Sequence, residues 1–235
     1  TYEVQRDRFD KLLADQASEM GVAIHYCCEI TGCDLTSEQP VLSYFDADRN
    51  RGQLSSKFCL DASGFGQTLA NLLGMVRPAE WPSRESVFTH IVDHIKPDAF
   101  DRNKILITVH PERHDIWYWL IPFTGGVSSV GVVGAENALR NSDENDEAVL
   151  WRFVSETGLL ASLLSKSESH RPCAGIAAYA SNVERLFGDK FALLGNAGGF
   201  LDPIFSSGVT IALRSASLAA DCLDHQFRGE RVDWE

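Results

Sequence analysis

The chain has 235 residues, 44% of them hydrophobic and 23% charged, a balance that suits one large globular domain or two small ones. Its net charge of -12 comes without a basic cluster, which argues against nucleic acid as a partner. No apolar run approaches the roughly 20 residues that span a bilayer and no signal peptide opens the chain, so no membrane partner is expected.

In chain order, Phe9, Leu12, Leu13, Ala17 and Met20 recur at helical spacing, and Gly21 supplies a stop. Val22 to Tyr26 then reads as a strand, as do Val41 to Phe45 and Leu54 to Leu60, with the polar run Asp46 to Gly52 as a hairpin turn. Asp61-Ala62-Ser63-Gly64 closes the last of these, and Gln67 to Leu73 reads as a short helix. From Glu85 to Glu136 the chain is rich in β-branched and aromatic residues. Ser86–Val92, Ile105–His110, Ile116–Ile121 and Val127–Val133 are predicted antiparallel strands, with Gly125-Gly126 turning the last pair. Asn141 to Ser167 is predicted helical, capped by Ser142 or Asp143. An α/β pattern returns with the apolar strand Phe191–Leu194, the glycine-rich turn Gly195–Gly199 and a long helix from Val209 to Phe227.

The six cysteines lack zinc spacing. They read as reduced thiols of a cytoplasmic protein, and no metal site is expected. The seven histidines form no evident ligand set, and no Gly-x-Ser-x-Gly elbow supports a hydrolase. Two features carry chemistry. The turn Gly195–Gly199 lies between an apolar strand and a helix, where glycines admit a ligand to the backbone and free N–H groups favour an anion; it also fits a plain β-α turn. Trp117 and Trp119 lie two apart on a strand and therefore share a face, as an aromatic core pair would too. Gly64-Phe65-Gly66, followed by Leu69 where a dinucleotide fingerprint needs Gly or Ala, reads as a turn.

Four pieces resemble the FAD-dependent monooxygenases and halogenases of the p-hydroxybenzoate hydroxylase-like fold. They are Val4-x-Arg6-x-x-Phe9-Asp10-x-x-Leu13, Leu60-Asp61-Ala62-Ser63-Gly64, Gly195-Asn196-Ala197, and Trp117-Tyr118-Trp119-Leu120-Ile121-Pro122. The last is similar to the W-x-W-x-I-P signature of flavin halogenases. The resemblance implies an α/β (α+β) architecture: an incomplete FAD-binding, Rossmann-like domain from residues 1–80 and 170–235, interrupted by an antiparallel β-sheet substrate domain at 81–169. It implies FAD near Arg6, Asp61, Gly64, Gly195, Asn196, Ala197, Pro203 and Gly208. A halide would bind at Ser207 and Gly208, with Trp117, Trp119 and Pro122 in the catalytic region. Reduced flavin, dioxygen and halide would then halogenate a small-molecule or carrier-bound aromatic substrate, with a separate flavin reductase as partner.

Three departures refine these expectations. Asn196 replaces the usual Asp, keeping hydrogen bonding without the charge. Phe205 stands where tryptophan-specific halogenases carry Glu, which points toward phenolic, pyrrolic or carrier-bound substrates. The family's Gly-x-Gly-x-x-Gly turn and halogen-delivering lysine belong upstream of Thr1, so this chain alone is expected to be inactive and to bind FAD weakly. Three other readings stay open: an FAD monooxygenase, a prenyl-chain reductase, and a non-catalytic fragment of such an enzyme.

Overall fold

The computed structural model describes residues 4–79, 82–141, 143–177, 181–200 and 206–234. They fall into two compact units, one drawn from Thr1–Ile24 and Pro82–Tyr179, the other from His25–Trp81 and Ala180–Glu235. The mixed helix and antiparallel-sheet class expected from the sequence is present in both.

Helix α1 (Arg6–Glu19) opens the first unit and hands over at Gly21, whose φ of 95° only glycine adopts freely. Val22–Tyr26, expected as a strand, is irregular, with Val22 and Tyr26 exposed. Its apolar residues find no paired edge, and a strand without a partner leaves its backbone groups to water. The second unit starts instead with β1 (Glu29–Asp34), which pairs antiparallel with β2 (Val41–Phe45). Next comes β3 (Arg51–Ser55), paired with β2 across the expected hairpin. There the Asp46 carboxylate accepts the N–H groups of Asp48 (2.9 Å) and Asn50 (2.8 Å), closing the turn locally. The predicted strand Leu54–Leu60 is therefore two strands. Its second part, β4 (Cys59–Asp61), leaves the hairpin and joins a different sheet. Helix α2 (Thr68–Leu72) and β5 (Val76–Pro78) follow.

The first unit resumes with β6 (Arg84–Val92), β7 (Leu106–Val109), β8 (Trp117–Pro122) and β9 (Val127–Ala135). The expected helix Asn141–Ser167 divides into α3 (Asp146–Ser155) and α4 (Gly158–Leu163), the break falling at Glu156-Thr157. The N-cap is Asn145, whose side chain accepts the Ala148 N–H at 2.8 Å; Asp143, one of the two expected caps, does not do this, and Ser142 lies outside the described residues. Strands β10 (Glu168–Ser169) and β11 (Ala174–Ala177) both return to β6, so among the described residues the sheet is six-stranded, in the order β10-β6-β9-β8-β7 with β11 also on β6. Val87, Tyr118, Leu120, Val130 and Val132 point to one face and are fully buried against Val149, Leu150 and Phe153 of α3 and Leu160 of α4. Full burial of an aliphatic or aromatic side chain contributes roughly 1.5–3 kcal/mol, against about 1 kcal/mol for a cap, so packing rather than capping holds α3 on the sheet.

The second unit is completed by β12 (Ser181–Val183), β13 (Phe187–Gly188), β14 (Phe191–Leu193) and α5 (Gly208–Phe227). Its sheet β13-β14-β4 places β14 and β4 parallel, with Phe191, Ala192 and Leu193 opposite Cys59, Leu60 and Asp61. No helix among the described residues is long and apolar enough to cross a membrane.

Candidate active site

Two places, one in each unit, hold the residues singled out in the sequence. In the first unit the strand alternation sends Trp117 and Trp119 to the face of β8 opposite α3 and α4. Their ring centroids lie 6.0 Å apart. Backbone register puts Trp119 in one row with Gly131 of β9 and Phe88 of β6, and Ile121 in the next row with Ser129 and His90. The Trp119 indole N–H donates to Ser129 Oγ at 3.0 Å, and its ring lies flat over Gly131. Any Cβ at Gly131 would sit 2.3 Å from Trp119 Cζ2, far inside contact distance. Phe88 packs on the other side of Trp119, with centroids 5.9 Å apart. Trp119, Phe88 and His90 stay partly exposed and Trp117 is buried, while Tyr118 and Leu120 on the opposite face are fully buried, so this face carries aromatic surface that α3 and α4 do not cover. Pro122 ends β8, buried and opposite Ser128.

This packing makes Gly131→Ala a test of the face. The new methyl must push the indole off the strand and break its bond to Ser129. The expected result is a shift of tryptophan emission with a loss of about 1–3 kcal/mol of stability, the usual cost of overpacking. Unchanged emission and stability would show that Trp119 does not rest on this glycine.

In the second unit the parallel strands β4 and β14 end side by side, and each runs into a glycine turn followed by a helix. Crevices beyond the carboxyl ends of parallel strands are the usual ligand sites of α/β sheets. Asp61 ends β4. One carboxylate oxygen accepts the Ser63 N–H at 2.8 Å and the other the Leu69 N–H at 2.7 Å. Its carbonyl takes the Leu194 N–H at 2.8 Å, tying β14 to it. Gly64 holds φ 62°, a left-handed value suited to glycine. Buried Gln67, which the sequence reading did not single out, links the two turns. It donates to the Ala197 carbonyl at 3.5 Å and accepts from Ser181 Oγ at 2.7 Å. Gly195, at φ 54°, lies against α5, where a Cβ would come within 3.1 Å of Ala212 Cβ, and its N–H donates to Ser215 Oγ at 3.0 Å.

Among the described residues no side chain caps α5, whose N-cap is Ser207; the N–H groups of Gly208, Val209 and Thr210 have no acceptor within the helix, and the ladder begins with Ile211 N–H on the Ser207 carbonyl at 2.9 Å. The preceding Ser206 sits at φ 53°, a left-handed conformation that costs a serine about 1–2 kcal/mol and that clusters at functional sites. Gly64, Gly195, Asn196, Ala197, Ser207 and Gly208 thus belong to one neighbourhood within this unit. Pro203 lies outside the described residues. Arg6 lies on α1 of the other unit, with its guanidinium fork engaged by the Asp10 carboxylate at 2.9 and 2.8 Å.

These residues fit part of an FAD. The β4 and β14 turns offer close backbone approach, Asn196 offers an amide for a ribityl hydroxyl, and the uncapped α5 terminus offers N–H donors to an electron-rich ring edge or a halide. Each Asp61 carboxylate oxygen already holds one backbone N–H and keeps a second acceptor site, so the group can hold the loop and still accept from a ligand hydroxyl. A cavity of about 240 Å³ beside Asp61, Ser63, Thr68, Leu69 and Leu72 is below the about 300–1,000 Å³ typical of sites that enclose a drug-sized ligand. All six cysteines are free thiols. Among the described residues no group of three or more His, Cys, Asp and Glu could hold a metal ion.

Comparison with known proteins places this architecture. The chain is 32% identical over 231 residues to a 1H-pyrrole-2-carbonyl-[peptidyl-carrier protein] chlorinase of Pseudomonas fluorescens, covering 94% of this chain and 50% of that protein. A brominase of the same carrier-bound pyrrole from Pseudoalteromonas luteoviolacea is 27% identical over 100% of this chain and 57% of its own length. The chain thus spans about half the length of the curated relatives it matches. Among solved structures, a flavoprotein/dehydrogenase from Cytophaga hutchinsonii superposes with a TM-score of 0.92 at 34% identity, covering 100% of this chain and 57% of that one. CmlS, a flavin-dependent halogenase, gives 0.85 at 26%, covering 96% and 40%. The model of the Tryptophan halogenase family matches residues 1–230, and the chain belongs to that family.

Proposed function

We propose that this chain is part of a flavin-dependent halogenase that uses FAD, dioxygen and halide to halogenate an electron-rich aromatic substrate, free or carrier-bound. The observation that carries the reading is the aromatic pair Trp117 and Trp119 fixed on one face of β8, on the side away from α3 and α4 and with Trp119 partly exposed, in a chain of this family. A carrier-bound pyrrole is the substrate class favoured by the two relatives that bear the names of a chlorinase and a brominase of such a substrate. The Phe205 position, unable to supply a carboxylate, agrees with that class rather than with free tryptophan.

In this reading FAD would be held along the turns at Asp61–Gly64 and Gly195–Ala197, with Arg6 and Pro203 as further expected contacts, and would supply the oxidising equivalents for the halide. The Ser207-Gly208 end of α5 binds the halide through backbone N–H groups, in a positive field worth about 0.3–1 kcal/mol when exposed and more when dry. Trp117 and Trp119 would give an oxidised halogen an apolar aromatic surface that keeps water away, while Pro122, on the opposite face of β8, would act only by ending the strand. A separate flavin reductase and a cytoplasmic setting complete the proposal.

The test is to supply the full-length protein with FAD, a flavin reductase, oxygen and chloride or bromide, and to follow free and carrier-bound pyrroles and phenols by mass spectrometry. A halogen-for-hydrogen mass change is expected. Hydroxylated product alone would replace the reading by a monooxygenase, and a reduced alkene by a reductase. The 235-residue chain by itself is expected to bind FAD more weakly than micromolar. A few exposed helix-terminus contacts do not offset the several kcal/mol lost on immobilising a ligand. Micromolar or tighter binding in a flavin-fluorescence titration would mean that the pyrophosphate site lies within these residues.

A further inference from the structure

The aromatic face of the first unit contains one group with no place in the reading so far. His90 projects from β6 on the same face as Trp119, opposite Ser129, and meets Phe123 edge to face with centroids 5.1 Å apart. It is only partly buried, and among the described residues neither ring nitrogen has a hydrogen-bond partner. An imidazole held edge to face on one aromatic ring, with both nitrogens unspent, is available to a ligand on that face.

We propose that His90 is the base that removes the ring proton of the aromatic substrate as it is halogenated. The proposal rests on the halogenase reading and names a further catalytic residue within it. A pyrrole or phenol carbon attacks the halogen of hypohalous acid; the carbon–halogen bond forms and the oxygen–halogen bond breaks. The adduct carries hydrogen and halogen on one carbon. The C–H bond then breaks, its electron pair restores aromaticity, and the proton passes to His90. The imidazolium later returns the proton to the displaced hydroxide as water, so the sum is arene and hypohalous acid to haloarene and water.

The surroundings suit this task. Such an adduct is a strong acid, so its base must be unprotonated and in reach rather than strongly basic. Burial, and after it the electrostatic influence of the Arg171 guanidinium and the His170 side chain, pushes the His90 imidazole below the usual histidine value. Asp7 of α1 acts the other way and more weakly; Phe123 against the ring and the cross-strand partner Ser129 are uncharged. His90 is therefore neutral at neutral pH. Arg171 itself is anchored by its carbonyl, which accepts from Thr89 Oγ1 at 2.7 Å, and its guanidinium lies over Phe88.

The experiment uses the flavin-loaded full-length protein and its His90→Asn variant. Three readouts are taken: halogenation of taurine as a scavenger of hypohalous acid, halogenation of a pyrrole or phenol probe, and product ratios from a probe deuterated at the reacting carbon. His90→Asn is expected to halogenate taurine as the parent does while arene halogenation falls about a hundredfold, within the usual range for a lost general base. A primary isotope effect absent from the parent should appear, and added imidazole should reverse both changes. Arene halogenation within about twofold of the parent, or a loss without an isotope effect and without imidazole rescue, would overturn the proposal. A parent protein that makes no halotaurine and no haloarene would instead bring down the halogenase reading, and this proposal with it.

Discussion

Replacing Arg102 by alanine should destabilise the first unit by about 3–5 kcal/mol, the cost of leaving a buried charge without its partner. Asp93, 1% exposed at the end of β6, is that charge. One of its oxygens accepts the Ile95 N–H at 2.9 Å; the other takes Ser128 Oγ at 2.5 Å and the Arg102 guanidinium. The same guanidinium donates to the carbonyls of Phe123 (2.9 Å) and Val127 (3.2 Å), and the Asp93 N–H donates to Gly126 (3.1 Å). One ion pair therefore clamps the turn between β8 and β9 that brings Trp119 beside Ser129. Urea denaturation of the chain is the measurement. Arg102→Ala should lower the midpoint at an unchanged slope, and removal of both charges in Asp93→Asn with Arg102→Leu should cost less than Arg102→Ala alone. A loss under about 1 kcal/mol would put the pair in the class of solvated surface bridges.

The same cluster sets an acid dependence. Burial raises the Asp93 carboxyl, but the Ser128, Arg102 and Ile95 hydrogen bonds outweigh it and hold the group below the ordinary aspartate value. Its folded value then lies below the about 3.9 of an unfolded aspartate. The pair's contribution is complete above that unfolded value and disappears as pH falls through the folded one. In Arg102→Ala the folded value rises, so acid destabilisation should begin at a higher pH than in the parent.

The sheet was legible because its strands alternate β-branched and aromatic residues with a period of two, and the same period put Trp117 and Trp119 on one face. The division of Leu54–Leu60 was not legible. Both halves have strand composition, and only pairing partners distant in sequence, β2 for one and β14 for the other, separate them. Val22–Tyr26 failed for the same reason, an apolar run with no edge to pair with. The helix cap fell on Asn145 because Asn, Asp and Ser at 141–145 are chemically near-equivalent caps, and packing of Val149, Leu150 and Phe153 decides which turn starts the helix. His90, Ser129 and Gly131 carry no local signal; cross-strand register makes them neighbours of Trp119. Glycine-rich turns were readable as turns, while the side-chain traffic across them, Gln67 above all, depends on contacts more than 100 residues apart in sequence.

Replacement of Asp61 by alanine is expected to cost about 2–6 kcal/mol. Its side chain is 8% exposed, and each carboxylate oxygen is the acceptor for one backbone N–H, Ser63 on one side and Leu69 on the other. Alanine leaves both donors without a partner in a protein interior, at about 1–3 kcal/mol each. Asn should lose roughly half as much, because its amide oxygen keeps one of the two bonds and its amide nitrogen faces a donor it cannot accept from. The loop between β4 and α2 would then loosen, and with it the Gly64–Gly66 turn that packs beside Gly195–Ala197. Denaturation of the chain reads the stability term and flavin titration of the full-length protein reads the site. If Asp61 acts by holding the loop, both should fall together and Asn should be intermediate in both. If alanine leaves stability within about 0.5 kcal/mol of the parent, as a featureless surface position would, while flavin binding collapses, the carboxylate would be a direct cofactor contact and its two backbone bonds incidental.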